Sequence, residues 1–469
     1  MNDLPAAGSH IHLTAICGVG MASLAGLLKA RGYRITGSDQ NIYPPMSTYL
    51  ADIGIHILSG FRAEHLVPRP DLVVIGNAVS RNNPEAEAVL AQEIDYISFP
   101  QALGRFLIGT RQSLVVAGTH GKTTTSALAA WVLASAGLDP GFFVGGVPLN
   151  FGSGWNAGTG EYVVLEGDEY DTAFFDKGPK FLHYRPNNVI LTSIEFDHAD
   201  IYRDLAHVKS AFVKLIDIIP VDGSLIVCSD YPEALAVART VNAQCTTYGE
   251  SGDWTVQNVK FAQGRSFFET CFKGQSQGLI EAAVIGRHNV KNALSVYVLG
   301  RTLGISHDRL LGGFRTFQGV KRRQEVRGEK RGVLVIDDFA HHPTAVRETI
   351  EAVRGAYAGR SVWAIFEPRS NTSKRNIFEK EFAAALALAD RTIVAGVYQP
   401  EKVPEGQRLS VEGLVGEINR VGGAERALTI ADSAAIADYV ARNSRSGDIM
   451  LVMSNGGFDG VHDRILQAL

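Results

Sequence analysis

Ser113 to Gly137 reads SLVVAGTHGKTTTSALAAWVLASAG. Ser113–Ala117 is a short apolar run of strand type. Gly118 and Gly121 bracket a tight loop, and Lys122 opens an Ala- and Leu-rich helical pattern that ends at Gly137. Strand, Gly-rich loop and helix start in that order form an anion cradle, because backbone N–H groups and the positive end of the helix dipole point at the ligand. Lys122 adds a point charge, the Thr123 hydroxyl offers an oxygen to Mg²⁺, and Thr119, His120 and Thr124 complete the loop. Two residues separate the glycines, fewer than in the common P-loop. A Gly-rich turn before a helix is often only a turn, but Lys-Thr-Thr at the helix start implies a bound nucleoside triphosphate.

Upstream, Ile11–Cys17 is strand-like, Gly18-Val19-Gly20 is a turn, and a helix over Met21–Arg31 stops at Gly32. A second strand near Arg34–Thr36 leads to Gly37-Ser38-Asp39. Gly-x-Gly at a βα turn, with an acid about twenty residues on, is the dinucleotide-binding pattern. Ser23 stands at the third glycine position, so a dinucleotide or a different nucleotide on the same scaffold both fit. Asp71–Gly76 is another buried strand, and Asn77 begins the loop at its C-terminal end, where open α/β sheets hold ligands.

Downstream, Tyr162–Leu165 runs into Glu166-Gly167-Asp168-Glu169-Tyr170-Asp171, and Val189–Ile194 runs into Glu195-Phe196-Asp197-His198. One acidic loop is usually a solvated loop. Two after buried strands, beside a P-loop, favour Mg²⁺ and its phosphates, with His198 reading equally as ligand or as structural histidine. Ser251–Gly278 is polar and irregular, either peripheral strands or an insertion. A helix opens at Gly286 and ends near Gly304; Asn289 and Asn292 share one of its faces and suit an adenine edge, although capping alone explains either. Phe317–Arg323 is a linker ending in the basic pair Arg322-Arg323, placed to reach phosphates across a domain boundary.

The last unit alternates strands and helices, with strands at Val333–Ile336, Val362–Phe366, Thr392–Ala395 and Ile449–Met453. Their ends carry Asp337-Asp338-Phe339-Ala340-His341-His342-Pro343, Glu367-Pro368-Arg369-Ser370-Asn371-Thr372 and Ser454-Asn455-Gly456-Gly457. Polar groups at successive strand ends line a ligand cleft in such a sheet.

A length of 469 residues suits about three domains, and 45% apolar residues with 49 glycines suit a globular α/β chain. A net charge of −4 gives no electrostatic case for nucleic acid or an anionic membrane. The four cysteines are scattered without CxxC spacing, which argues against zinc or a disulfide framework and fits a reducing cytoplasm. With no apolar run of transmembrane length and no signal peptide, the sequence is expected to be that of a soluble cytoplasmic protein.

Gly118-Thr119-His120-Gly121-Lys122-Thr123-Thr124, the Glu166 cluster, Asp197-His198, His288-Asn289 with Asn292-Ala293, Arg322-Arg323, and Asp338 with His341-His342-Pro343 occur in an order that resembles the Mur ligases of peptidoglycan assembly. The likeness spans the whole chain, and the shortened P-loop is itself a family trait. It implies an α/β fold of three domains: a Rossmann-like UDP-binding domain over 1–109, a central P-loop ATP-binding domain over 110–321, and a Rossmann-like C-terminal domain over 322–469. Tyr43-Pro44-Pro45-Met46-Ser47, Glu169-Tyr170-Asp171, Glu367–Thr372 and Met453–Phe458 are similar to the recycling branch of the family, whose acceptor is the murein tripeptide L-Ala-γ-D-Glu-meso-diaminopimelate.

The resemblance implies an ATP- and Mg²⁺-dependent ligase that couples the lactyl carboxylate of UDP-N-acetylmuramate to an amine through an acyl phosphate. Lys122 and the Gly118–Thr123 amides would hold the β- and γ-phosphates. Thr123 with Glu166, and Glu166 with His198, would ligate Mg²⁺, and Arg323 would neutralise charge in transfer. Asn289 and Asn292 would sit at adenine, with Asp338 and His341 or His342 closing over the nucleotide. Gly18 and Gly20 would admit the pyrophosphate, Ser38 and Asp39 would face uridine, and Asn77 would lie in the same cleft. Arg369 suits a peptide carboxylate because its planar fork matches one, with Asn371, Ser454 and Asn455 beside it. Three other readings stay open: the same ligation with L-alanine as acceptor, a nucleotide-binding regulator without ligation, and a nicotinamide-dependent oxidoreductase.

Overall fold

The computed structural model describes residues 4–199, 201–262, 264–423 and 425–469. The strand Gln112–Ala117 is buried from Ser113 onward. Its side chains alternate between two apolar clusters, Leu114 and Val116 in one and Val115 and Ala117 in the other, because helices cover both faces of a parallel sheet. Tyr162–Gly167 and Pro186–Leu191 flank it, both parallel to it. Gly141–Phe143 extends the sheet on one side, and Ser224–Cys228 and Gln244–Tyr248 on the other, again parallel. Parallel strands end on the same edge, so the P-loop, the Glu166–Asp171 loop and the Ser193–His198 loop converge there.

The polar stretch from Ser251 to Gly278 takes the peripheral-strand alternative (Gln263 lies outside the described residues). Trp254–Ala262, Arg265–Phe272 and Gln275–Ala282 form an antiparallel meander at the sheet edge. Its irregular look has a physical cause: Ser266, Phe268 and Thr270 are buried between the half-buried Arg265, Phe267 and Glu269, and two of these three are polar.

In the first domain His10–Thr14, Arg34–Asp39, Ile57–Ser59, Leu72–Ile75 and Tyr96–Ser98 form a parallel sheet whose first strand lies between the second and the fourth. The order of connection reverses between the first and fourth strands, which opens a cleft at their carboxyl ends. The first strand stops at Thr14, short of the expected Cys17, because Ala15 turns into the left-handed region at φ 65°. The helix then begins at Val19 rather than Met21.

The third domain holds a six-stranded sheet in which Ile449–Met453 lies between Val333–Asp338 and Val362–Phe366, all parallel. Arg391–Val394 follows. Two edge strands, Glu325–Lys330 and Ala427–Thr429, went unannounced in the sequence: one is polar and largely solvent-facing, the other only three residues long.

The first two domains share one apolar cluster. Phe99 packs edge-on against Phe143 at 5.3 Å, and Trp155 Nε1 donates to the Tyr49 hydroxyl at 3.1 Å. A Cβ on Gly26 would lie 2.0 Å from that hydroxyl, so the position requires glycine. The third domain keeps two apolar clusters of its own. Among the described residues all four cysteines are free, and no helix is long and apolar enough to cross a membrane.

Candidate active site

Gly121 sits at φ 78° and Gly118 at φ 134°, where a Cβ on Gly118 would come within 2.2 Å of Thr192 Oγ1. Both glycines are therefore fixed by backbone geometry. Glycine at these two positions lets the loop fold tightly over the sheet edge, with Thr119 N donating to Ser193 O and His120 N to Ser193 Oγ. The helix Lys122–Ser135 starts directly after.

Lys122 is 8% exposed; its Nζ donates to Gly118 O at 2.7 Å and pairs with Glu169 Oε2 at 2.9 Å. Burial pulls the Lys122 pKa down, but Glu169, Asp168 and Glu166 outweigh it and hold the ammonium above its ordinary value. Thr123 Oγ1 donates to Glu166 Oε1 at 2.7 Å and accepts from Arg323 Nη2 at 3.0 Å. Burial, then the charge of Asp168, pushes the Glu166 carboxyl above the usual range despite bonds from Thr123 and Gly145. Hard oxygen donors, the Thr123 hydroxyl and the Glu166 carboxylate, side by side in an acid cluster form a set that suits Mg²⁺.

His198 is placed differently from expectation. Among the described residues the carboxylates within 4 Å of it are Glu169, at 3.5 Å, and Asp197, at 3.6 Å, so the acid facing it is not Glu166. Glu169 lies three residues past Glu166, beyond the end of the strand, where alternation no longer predicts direction. The sequence reading missed its ion pair with Lys122 for the same reason.

A cleft of about 490 Å³ lies between the second and third domains. His120, Gly121, Thr124, Asn289, Asn292, Arg323 and Asp338 all line it, and so does His288. Asn289 and Asn292 are hydrogen-bonded to each other at 3.1 Å, which fixes both amides on the helix face. Asp338 accepts from Gln324 N and Ala340 N, and its pKa is raised by burial against the pull of Arg323. Arg323 stacks on Phe339 at 4.5 Å, a platform the sequence reading did not assign.

His341 and His342 do not line that cleft. His341 Nδ1–H donates to Phe339 O, and His342 caps the helix Pro343–Ala356 while reaching Phe196 O at 3.3 Å. Of the three residues expected to close over the nucleotide, only Asp338 lines the cleft, and His342 instead meets the Glu195–His198 loop. There His120 Nε2 lies 2.7 Å from Glu195 Oε2, which also accepts from Thr344 Oγ1 at 2.9 Å. Burial would raise the Glu195 pKa, but His120, Thr344 and His342 outweigh it and hold it at about 2. Burial, then His120, presses His342 down to about 4 from its ordinary 6.5. The unfolded chain therefore binds this proton between about 6.5 and 4 while the folded chain does not, so stability falls as pH drops through that window. Melting curves against pH are expected to show this decline, and His342→Gln should flatten it; an unchanged slope would remove His342 as its source.

A second cleft, of about 790 Å³, opens at the strand reversal of the first domain and is lined by Gly18, Gly20, Asp39 and Asn77. Ser38 is not there. It is fully buried on the opposite face of its strand and donates to Glu85, itself contacted by His12 and His65. Asp39 accepts from Cys17 N and Asn41 N at the cleft floor. Lys180 enters this cleft from the second domain while pairing with Asp168 at 3.2 Å. It follows a short hairpin rather than a strand end, so no sequence pattern marked it.

At the third domain's strand ends Arg369 lies flat on Tyr398 at 3.6 Å and 3.5 Å from Glu367. Ser454 donates to Glu367, and Arg322 donates to the carbonyls of Ser454 and Gly456, each at 2.6 Å. Asn455 keeps a buried Oδ1 without a hydrogen bond, and Asn371 is exposed on the same rim. Arg322 and Arg323 thus part ways, one toward this rim and the other toward the P-loop.

Comparison with known proteins follows the same three-part division. Residues 10–111 match the model of the Mur ligase family catalytic domain, 116–300 that of the Mur ligase middle domain, and 322–456 that of the Mur ligase glutamate ligase domain. The UDP-N-acetylmuramate–L-alanyl-γ-D-glutamyl-meso-2,6-diaminoheptandioate ligase of Escherichia coli is 41% identical over 98% of both chains. The enzyme of the same name from Haemophilus influenzae is 37% identical over 98% of this chain and 99% of its own. A crystal structure of a murein peptide ligase from Psychrobacter arcticus superposes with a TM-score of 0.72 at 36% identity, covering 98% of each chain. Full-length relatives at this identity, over a short P-loop that shares its cleft with a third domain, make the chain a member of the Mur ligase family of ATP-dependent, amide-forming ligases.

Proposed function

We propose that the chain joins the lactyl carboxylate of UDP-N-acetylmuramate to the free amine of L-Ala-γ-D-Glu-meso-diaminopimelate, with ATP and Mg²⁺; the similar ligases are named for that pair of substrates. The observation that carries this reading is the full-length likeness to two tripeptide-accepting relatives. The arginine-bearing rim at Arg369, which offers a carboxylate-rich acceptor a planar cation, supports it.

A carboxylate is a poor electrophile, so it must first exchange an oxygen's negative charge for a leaving group. A lactyl oxygen attacks the γ-phosphorus, the bond to the bridging oxygen breaks, and its electron pair leaves with ADP. The deprotonated amine then attacks the acyl carbon, and the acyl C–O bond breaks to release phosphate. The protein has to offset repulsion between a carboxylate and a polyphosphate. Lys122 and the amides of Gly118–Thr123 serve the β- and γ-phosphates, and Arg323 reaches the transferred group from the domain boundary. Thr123, Glu166 and His198 would hold Mg²⁺, with Glu169 beside His198; when bound, the metal supplies charge neutralisation between the two anions. Asn289, Asn292 and His288 take the adenine end, Gly18, Gly20, Asp39 and Asn77 the UDP end, and Lys180 stands between that cleft and the acids. Arg369, with Ser454, Asn455 and Asn371, faces the acceptor, and the third domain excludes water from the reactive intermediate.

Mass analysis of the product formed from UDP-N-acetylmuramate, ATP and a mixture of L-alanine and tripeptide tests the reading. The tripeptide adduct is expected to dominate. The alanine adduct would assign the alanine-ligase alternative, and nucleotide binding without ADP release would assign the regulator.

A further inference from the structure

His198 adopts φ 55°, a left-handed conformation that a non-glycine residue keeps only where its surroundings hold it. Asp197, 5% exposed, helps hold it there: its Oδ1 accepts from His198 N at 2.7 Å, while the His198 carbonyl accepts from Ile201 N and Tyr202 N. Asp197 Oδ2 lies 3.6 Å from His198 Nε2, and the Tyr170 ring closes the other side of the imidazole at 4.4 Å. The remaining partner of Asp197 Oδ1 comes from another domain: Thr372 Oγ1 donates to it at 2.6 Å, with Thr372 only 2% exposed.

Thr372 belongs to the loop that carries Arg369. Arg369 N and Ser370 N both donate to Ser373 Oγ, and Lys374 N donates to Ser370 O, so the loop moves as one knot. The neighbouring residues of the second-domain loop are gripped in the same way, Glu195 by Thr344 and Phe196 O by His342. The acceptor-side loop is thus tied to His198 through Thr372 and Asp197.

We propose that Thr372 is a positioning residue. By holding Asp197 it sets His198 for its metal role, so the carboxylate is activated only when the acceptor-binding domain is closed. The logic is protective, because an acyl phosphate made in an open site would be lost to water. This inference rests on the ligase reading above.

The test compares Thr372→Val with Thr372→Ser in the full chain. Mn²⁺ binding is followed by electron paramagnetic resonance with UDP-N-acetylmuramate and a non-hydrolysable ATP analogue present. Acyl-phosphate formation is followed with UDP-N-acetylmuramate and ATP alone, without acceptor. For Thr372→Val, Mn²⁺ affinity and acyl-phosphate formation are each expected to fall about 10–100-fold, as is usual when the support of a metal ligand is removed. Binding of UDP-N-acetylmuramate should be unchanged and Thr372→Ser should restore both quantities. Wild-type Mn²⁺ affinity in Thr372→Val, equal damage in Thr372→Ser, or an effect confined to the acceptor KM would each overturn the proposal. If the wild-type chain favours alanine, or forms no acyl phosphate at all, the functional reading is what changes, and the Mn²⁺ comparison still decides the role of Thr372.

Discussion

Lys122→Ala is expected to remove ADP formation, with turnover falling on the order of a thousandfold, as when a preorganised charge donor is lost from an active site. UDP-N-acetylmuramate binding should be retained, since that cleft lies in the first domain and Lys122 takes no part in its lining. The variant has a second effect that must be separated from the first. Lys122 is the ion-pair partner of Glu169, which is 2% exposed, and removing one member of a buried pair costs about 3–5 kcal/mol because the other charge is stranded. Adding Glu169→Gln removes the stranded charge and should recover most of the lost melting temperature without recovering turnover. ADP release in a coupled assay, sugar-nucleotide binding by calorimetry, and a thermal melt together decide the matter. Retained turnover in a folded Lys122→Ala chain would refute the phosphate role.

The next largest effect is expected on the acceptor side. Arg369→Ala should raise the KM for tripeptide about 10–100-fold, the worth of a hydrogen bond to a charged group, while the KM for ATP barely moves. Stacked on Tyr398, the guanidinium is held flat and ready for a carboxylate at little further entropic cost. Gly456→Ala offers an independent check, because its Cβ would fall 1.9 Å from Arg369 Nε and 2.2 Å from Cζ. That methyl group must push the guanidinium off the tyrosine, so the same selective loss of tripeptide affinity is expected without touching the charge. Equal changes in both KM values for either variant would take Arg369 out of the acceptor pocket.

What was legible in the sequence was local. The P-loop is a strand, a turn and a helix start within one stretch, and each piece carries its own signal, so Gly118, Lys122 and Thr123 could be placed in the loop and at the helix start directly. Asn289 and Asn292 were legible because helical spacing fixes which residues share a face. The mistakes fall where a side chain's direction depends on something distant. Ser38 and Asp39 are adjacent on a strand and must face opposite sides; treating them alike put Ser38 in a cleft it turns away from. His342 precedes Pro343 at a helix start, a capping position, and that signal outweighed the nucleotide role expected for it. Glu169, Lys180 and Phe339 lie in loops or after a hairpin, and only the folded chain brings them to the P-loop, the first-domain cleft and Arg323.

The greasy seam between the first two domains, closed over Gly26 by Tyr49 and Trp155, ties sugar-nucleotide handling and phosphate chemistry into a single inherited block. The remaining lobe, with its own interior, is attached by polar grips and by side-chain contacts such as Phe196 against Phe378. Descent can therefore rewrite which amine is accepted by altering that lobe alone, leaving the half that energises the acid undisturbed.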